Sequence, residues 1–142
     1  MLHKVVQLGG KSYFWLEKTN VVSMIQEYQV SGFRVREYEE LGSTNTEAER
    51  VGWSELEDKM VILTYRQTQG RGQVGNHWES EPGKNISMTV VFKLRELSAG
   101  QQFAVSMVIA LGACDFISRY VNECSVKWPN DIYVGDRKIS GI

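Results

Sequence analysis

GRGQVGNHWESEPGKN, residues 70–85, holds four glycines, one proline, two asparagines, an arginine and a tryptophan in sixteen positions. Such a stretch is too rich in glycine to read as a helix or a good strand. On either side lie MVILTY (60–65) and ISMTVVFKL (86–94), apolar runs with β-branched and aromatic residues that read as buried strands. An unstructured connection of about twenty residues is uncommon in a compact domain unless it is functional or disordered. Against the bland reading as a mobile linker stands a functional one. Glycines 70, 72 and 75 let backbone N–H groups approach an anion, and Arg71 supplies a permanently charged fork for carboxylate or phosphate. The segment is neither a Walker loop nor a GxGxxG running into a helix.

Moving outward, FRVREYEEL (33–41) opens as a half-buried strand. Ser43-Thr44-Asn45 then precedes TEAERVGWSEL, where Ser43 or Thr44 can cap a helix and Glu47 can complete a capping box with Thr44. The longest helical pattern runs from Ser98 to Val121, with Phe103, Val105, Met107, Val108, Leu111, Phe116, Ile117 and Tyr120 as an apolar face expected to lie across the sheet. After it, SVKWPNDIYVGDRKISGI (125–142) reads as a strand to Trp128, a Pro-Asn turn, and a hairpin through Gly135-Asp136. The first thirty residues suggest a hairpin, His3–Leu8 with Ser12–Leu16, and a helix from Asn20 to Val30. Strand and helix patterns mix without strict alternation. The expected class is therefore α+β, with a mixed, mostly antiparallel sheet flanked by helices. Ser140-Gly141-Ile142 reads as a strand in progress, so the sheet is expected to continue in a larger domain.

At 142 residues the chain suits a single core, and 42% hydrophobic with 23% charged residues excludes disordered, fibrous and coiled-coil classes. With 16 basic against 17 acidic side chains, the net charge of −1 gives no global attraction to nucleic acid or membrane. An RNA-binding reading of the Arg-Gly loop is disfavoured on the same ground. The opening residues do not form a signal peptide and no apolar run reaches a membrane span, which points to the cytoplasm. Cys114 lies in the apolar helical pattern and reads as a buried reduced thiol. His3 and His77, the only two histidines, lie at no ligand spacing from a cysteine, so no metal site is expected in the chain. Lys127, between Val126 and Trp128, reads either as a solvated residue before a turn or as a cation drawn toward a buried anion.

Taken in order, Ser43-Thr44-Asn45, then Gln67-Thr68-Gln69-Gly70-Arg71-Gly72 with Trp78, then Lys127-Trp128-Pro129-Asn130-Asp131, then Lys138-Ile139-Ser140-Gly141-Ile142, resemble the catalytic domain of biotin protein ligases, within the biotin/lipoate ligase superfamily. The resemblance covers residues 33–142 as the N-terminal part of that domain, incomplete at the C-terminus; residues 1–32 stand apart as an extension of uncertain role. It implies an ATP-dependent ligase that makes biotinyl-5′-AMP and transfers biotin to a lysine of a biotin carrier domain. A non-catalytic biotin-binding module, or an inactive fragment, is the alternative. Residue by residue, it implies that Ser43, Thr44, Asn45 and Gln67 meet the polar ring of biotin, and that Gly70, Arg71, Gly72 and Gln73 belong to a loop closing over the adenylate. It further implies that Trp78 packs in that closed loop, that Gly141 leaves room for the ring, that Arg71 neutralises charge from the loop, and that Lys127 sits near the reacting carboxylate and α-phosphate, the two being the catalytic residues. ATP and Mg2+ are implied as cofactors, a biotin carboxyl carrier protein as partner, no nucleic acid and no membrane; a homodimer is left open. Gln73 and Asn76 stand where the family more often has arginines, so weaker retention of the adenylate is expected. The lipoate ligases carry a different glycine-rich sequence.

Overall fold

At the start of the chain, strands adjacent in sequence pair antiparallel. In the computed structural model, which describes residues 4–8, 11–15, 24–52, 54–72, 76–94 and 98–142, the first such pair is β1 (Lys4–Leu8) with β2 (Lys11–Trp15), an antiparallel hairpin. The second is β3 (Met24–Val30) with β4 (Phe33–Tyr38). Between them Ser31 and Gly32 take φ of +49° and +81°, the conformation that a two-residue hairpin turn requires. This corrects the expected helix from Asn20 to Val30. Met24 and Tyr28 fit helical spacing, but the Ser-Gly turn and pairing to β4 place the segment in a sheet, where Glu27 accepts from Arg36 Nε at 2.9 Å across the strands. Residues 20–23 lie outside the described residues, as do His3 and Leu16 of the expected first hairpin.

From β4 the chain enters α1 (Thr44–Val51) and returns as β5 (Met60–Thr64), parallel to β4, with β8 (Ser87–Val91) antiparallel beyond it; the sheet order is β3-β4-β5-β8. The sheet is thus mixed and mostly antiparallel, and β4-α1-β5 is one crossover unit. α1 covers one face. Tyr38, Leu41, Ala48 and Ile62 form one buried cluster, and Leu56, Met60 and Val91 a second. Each fully buried side chain of this size contributes about 1.5–3 kcal/mol.

The connection between the expected strands, residues 66–85, reads as irregular, yet it contains a two-stranded ribbon, β6 (Gly70–Arg71) with β7 (His77–Trp78). Gly70 explains it. A Cβ there would strike the Trp78 carbonyl oxygen and lie 2.7 Å from Gln67 Nε2, so the missing side chain lets the two backbones meet.

The chain divides into two compact units, Met1–Lys93 and Leu94–Ile142, rather than around the single core expected. In the second, a 3₁₀ turn (Ala99–Gln101) leads into α2 (Gln102–Ser118), which packs on β9 (Cys124–Lys127) and β10 (Asp131–Val134); β11 (Arg137–Gly141) completes an antiparallel sheet. Ile132 is its fully buried residue, and Asn130 closes its end by donating Nδ2 to the Ile142 carbonyl at 2.7 Å. Most of the expected apolar face of α2 is uncovered: Val108, Leu111 and Tyr120 are 68%, 62% and 74% exposed, and among its described side chains Ala110 alone is buried. No helix among the described residues is long and apolar enough to cross a membrane.

Candidate functional site

Parallel pairing of β4 with β5 continues beyond both strands. Leu41 N–H donates to the Arg66 carbonyl at 3.0 Å, Thr68 N–H to Leu41 at 2.9 Å, and Gln69 N–H to Gly42 at 2.6 Å. This ladder lays Ser43-Thr44-Asn45 beside Gln67–Gly70, at the carboxyl ends of two parallel strands and the N-terminus of α1. Crossover units commonly bind ligands at that end.

Ser43 and Thr44 are buried and Asn45 is exposed. The expected capping box does not form. Ser43 is the N-cap, its carbonyl accepting from Glu47 N–H at 3.0 Å, and its side chain makes no cap bond. Glu47 is drawn into the core instead: it accepts from the Tyr38 hydroxyl at 3.3 Å and from Arg50 Nε and Nη2 at 2.8 and 2.7 Å. Burial, then the Glu47 charge, pushes the Tyr38 phenol up to about 12.

The remaining polar groups form one network. Gln67 Oε1 accepts from Thr44 N–H at 3.0 Å, and the Thr44 hydroxyl lies 3.4 Å from the same oxygen. Thr89, on β8, places its hydroxyl 2.6 Å from Asn45 Oδ1 and 2.9 Å from Thr44 Oγ1. One hydroxyl proton cannot serve both. The shorter contact assigns it to Asn45, and Thr44 then donates to Thr89. With Gln67 Oε1 and Asn45 Oδ1 both accepting internally, each amide keeps its NH₂ group as the donor for anything outside. Thr89 was missed in the sequence. Its signal is a hydroxyl between Met88 and Val90 in an apolar strand, at the register position facing Ile62.

Arg71 is exposed on the ribbon and already engaged. Its guanidinium forks onto Glu49, with Nη1 at 2.9 Å and Nη2 at 3.1 Å from the carboxylate oxygens, and Nη2 donates to Thr46 Oγ1 at 2.7 Å. Gly72 N–H donates to the Asn76 carbonyl at 2.7 Å, and Trp78, half-buried, pairs with Gly70. Gln73 lies outside the described residues.

Lys127 and Gly141 belong to the second unit. Lys127 ends β9, opposite Asp131, and is exposed with its Nζ 5.5 Å from the centre of the Tyr133 ring. The buried anionic partner is not found: among the described residues Lys127 makes no ion pair, because Asp131 is held by Lys138 at 2.8 Å. Gly141 pairs with Asp131 across β10 and β11. The cysteines are half-buried and free, not fully buried as expected of Cys114.

The model of the biotin/lipoate A/B protein ligase family matches residues 38–142. The bifunctional ligase/repressor BirA of Escherichia coli is 30% identical over 97% of this chain and 43% of its own length. Biotin–protein ligase 2 of Arabidopsis thaliana is 32% identical over 63% of the chain and 29% of its own. The solved structure of the Helicobacter pylori biotin acetyl coenzyme A carboxylase synthetase with bound biotinylated ATP covers 75% of this chain and 52% of that one, at 26% identity and a TM-score of 0.58. The chain thus spans about half the length of these two bacterial relatives, 43% and 52%.

Proposed function

We propose a function that proceeds from the family, for this chain belongs to the biotin/lipoate A/B protein ligase family. It is the biotin- and adenylate-binding part of a biotin protein ligase. The observation that carries this reading is the Thr44–Gln67–Thr89–Asn45 network, which satisfies both amide oxygens internally and leaves the NH₂ groups as the donors not used within it. A planar urea carbonyl, as in the ring of biotin, is an acceptor suited to such donors. The names of the relatives and the biotinylated ATP of the Helicobacter pylori structure support the same choice.

In the first step a biotin carboxylate oxygen attacks the α-phosphorus of ATP, the α–β phosphoanhydride bond breaks, and pyrophosphate leaves. In the second a carrier-domain lysine amine attacks the carbonyl carbon and AMP leaves. Lys127 neutralises the carboxylate and α-phosphate, and Arg71, once released from Glu49, neutralises the adenylate under the loop formed by Gly70, Gly72, Gln73 and Trp78. Ser43 lines the ring pocket and Gly141 makes room for it. Mg2+, as the counter-ion of ATP, would add charge neutralisation at the phosphates to that supplied by Lys127 and Arg71. The motifs of this module lie within residues 33–142, and β3 from the segment before them pairs with β4 in the same sheet. The module acts in the cytoplasm on a biotin carboxyl carrier domain, with a homodimer compatible.

Pyrophosphate release on mixing the chain with biotin and Mg-ATP tests the reading. Release that needs both substrates and is lost in Lys127→Ala supports it. Biotin binding without pyrophosphate would make the chain a non-catalytic biotin-binding module.

A further inference from the structure

Outside the candidate site, the two cysteines of the chain come together. Cys114 lies in the last turns of α2 and Cys124 opens β9, ten positions on, and their Sγ atoms are 3.0 Å apart. Both are free and half-buried, so the pair is neither sealed in a core nor splayed into solvent. The connection between them is tightly closed. Tyr120 and Val121 N–H both donate to the Ile117 carbonyl, at 2.9 and 3.2 Å, and Gly135 N–H donates to Glu123 at 3.2 Å. Phe103 of α2 packs edge-on against Trp128 with ring centres 4.4 Å apart, a second link between the helix and the segment following β9. The thiols therefore face each other because the fold holds them there.

We propose that Cys114 and Cys124 are a redox-active dithiol, which a low-molecular-weight disulfide such as oxidised glutathione converts to an intramolecular disulfide tying α2 to β9. The Cys124 thiolate attacks one sulfur of the small disulfide, that S–S bond breaks, and one small thiolate leaves. Cys114 then loses its proton to solvent and attacks the Cys124 sulfur; the protein S–S bond forms and the second small thiol leaves. The two cysteines give up two electrons and two protons, and the small disulfide takes both up. The shared hydrogen bond raises the Cys114 thiol above its ordinary value, which places Cys114 second in the order. Among intracellular proteins such pairs are transient and redox-sensing rather than structural. This one ties down the strand that ends in Lys127, and it stands whether or not the ligase reading does.

The test is to incubate the whole 142-residue chain with oxidised glutathione, quench with acid, and measure intact mass and thiol content under denaturing conditions. The expected product has lost both thiols and two hydrogens, carries no glutathione, is monomeric on a non-reducing gel, yields a 114–124 cross-linked peptide, and reverts with dithiothreitol. Cys114→Ser should stop at a stable mixed disulfide on Cys124. Wild type that keeps both thiols, ends with glutathione on each cysteine, or cross-links only between chains overturns the proposal.

Discussion

The hydroxyl-and-amide cluster at the start of α1 and the two cations assigned to the same chemistry are built on opposite plans. Thr44, Gln67, Thr89 and Asn45 satisfy one another within 2.6–3.4 Å, on a base of buried Tyr38, Glu47 and Ile62. Arg71 and Lys127 are exposed, one forked onto Glu49 and the other beside an aromatic ring. A cluster whose members fix one another is already shaped for a neutral polar ring and has little to rearrange on binding. Exposed cations keep their hydration or an exchangeable partner until an anion arrives. On the proposed reading, recognition is preformed, while charge neutralisation waits for the ligand.

Removing the ammonium breaks the comparison most sharply. Lys127→Ala should lower pyrophosphate release by about 10²–10³-fold, the scale for loss of one donor to a developing charge, while biotin-dependent protection from heat changes far less. An equal loss of both would mean that lysine and cluster act as one preformed unit.

Beneath the cluster, Tyr38 ties stability to alkaline pH. Its pKa is raised from 10.0 to about 12, so its contribution is fully present below pH 10 and is lost as pH rises to about 12. Denaturant titrations of wild type and Tyr38→Phe at pH 9 and 11.5 should show the wild type losing more stability over that interval. Parallel losses would put the buried foundation elsewhere.

Gly70→Ala tests the joint between ribbon and cluster, because the new Cβ meets Trp78 and Gln67. A stability loss of about 1–3 kcal/mol is expected in chemical denaturation, the usual cost of overpacking. Thr89→Val deletes the hydroxyl that orients Asn45 and should weaken biotin binding about tenfold with ATP affinity unchanged; Thr89→Ser should restore it. Smallest of all is Glu49→Gln, which releases Arg71 from an exposed pair and should leave the denaturation midpoint nearly unchanged.

Several of these features were legible in the chain and others were not, for physical reasons. Alternating and β-branched runs gave β4, β5 and β8, and Gly135-Asp136 gave the last hairpin, because those signals are local. Asn20–Val30 reads as a helix because the apolar spacing of its Met24–Val30 part fits both periods, and the Ser31-Gly32 turn that decides between them needs its partner strand. The Ser-Thr-Asn run was legible as a site only through family resemblance. Its cap chemistry was misassigned because Glu47 finds Tyr38 and Arg50, partners that exist only after folding. Thr89 was illegible for the same reason: a threonine in a strand is unremarkable until its neighbour across the fold is Asn45. Proximity of the two thiols likewise depends on the closure after Ser118.

The central claim is that the preformed cluster recognises the biotin ring. Isothermal titration of biotin into the 142-residue chain, with Gln67→Ala alongside, tests it most directly. The account predicts saturable heat in the wild type and at least tenfold weaker binding in a variant that is still folded, because Thr44 N–H then loses its acceptor and the ring loses a donor. Equal affinity in the two chains, or no heat from a wild type with folded circular dichroism, would contradict it.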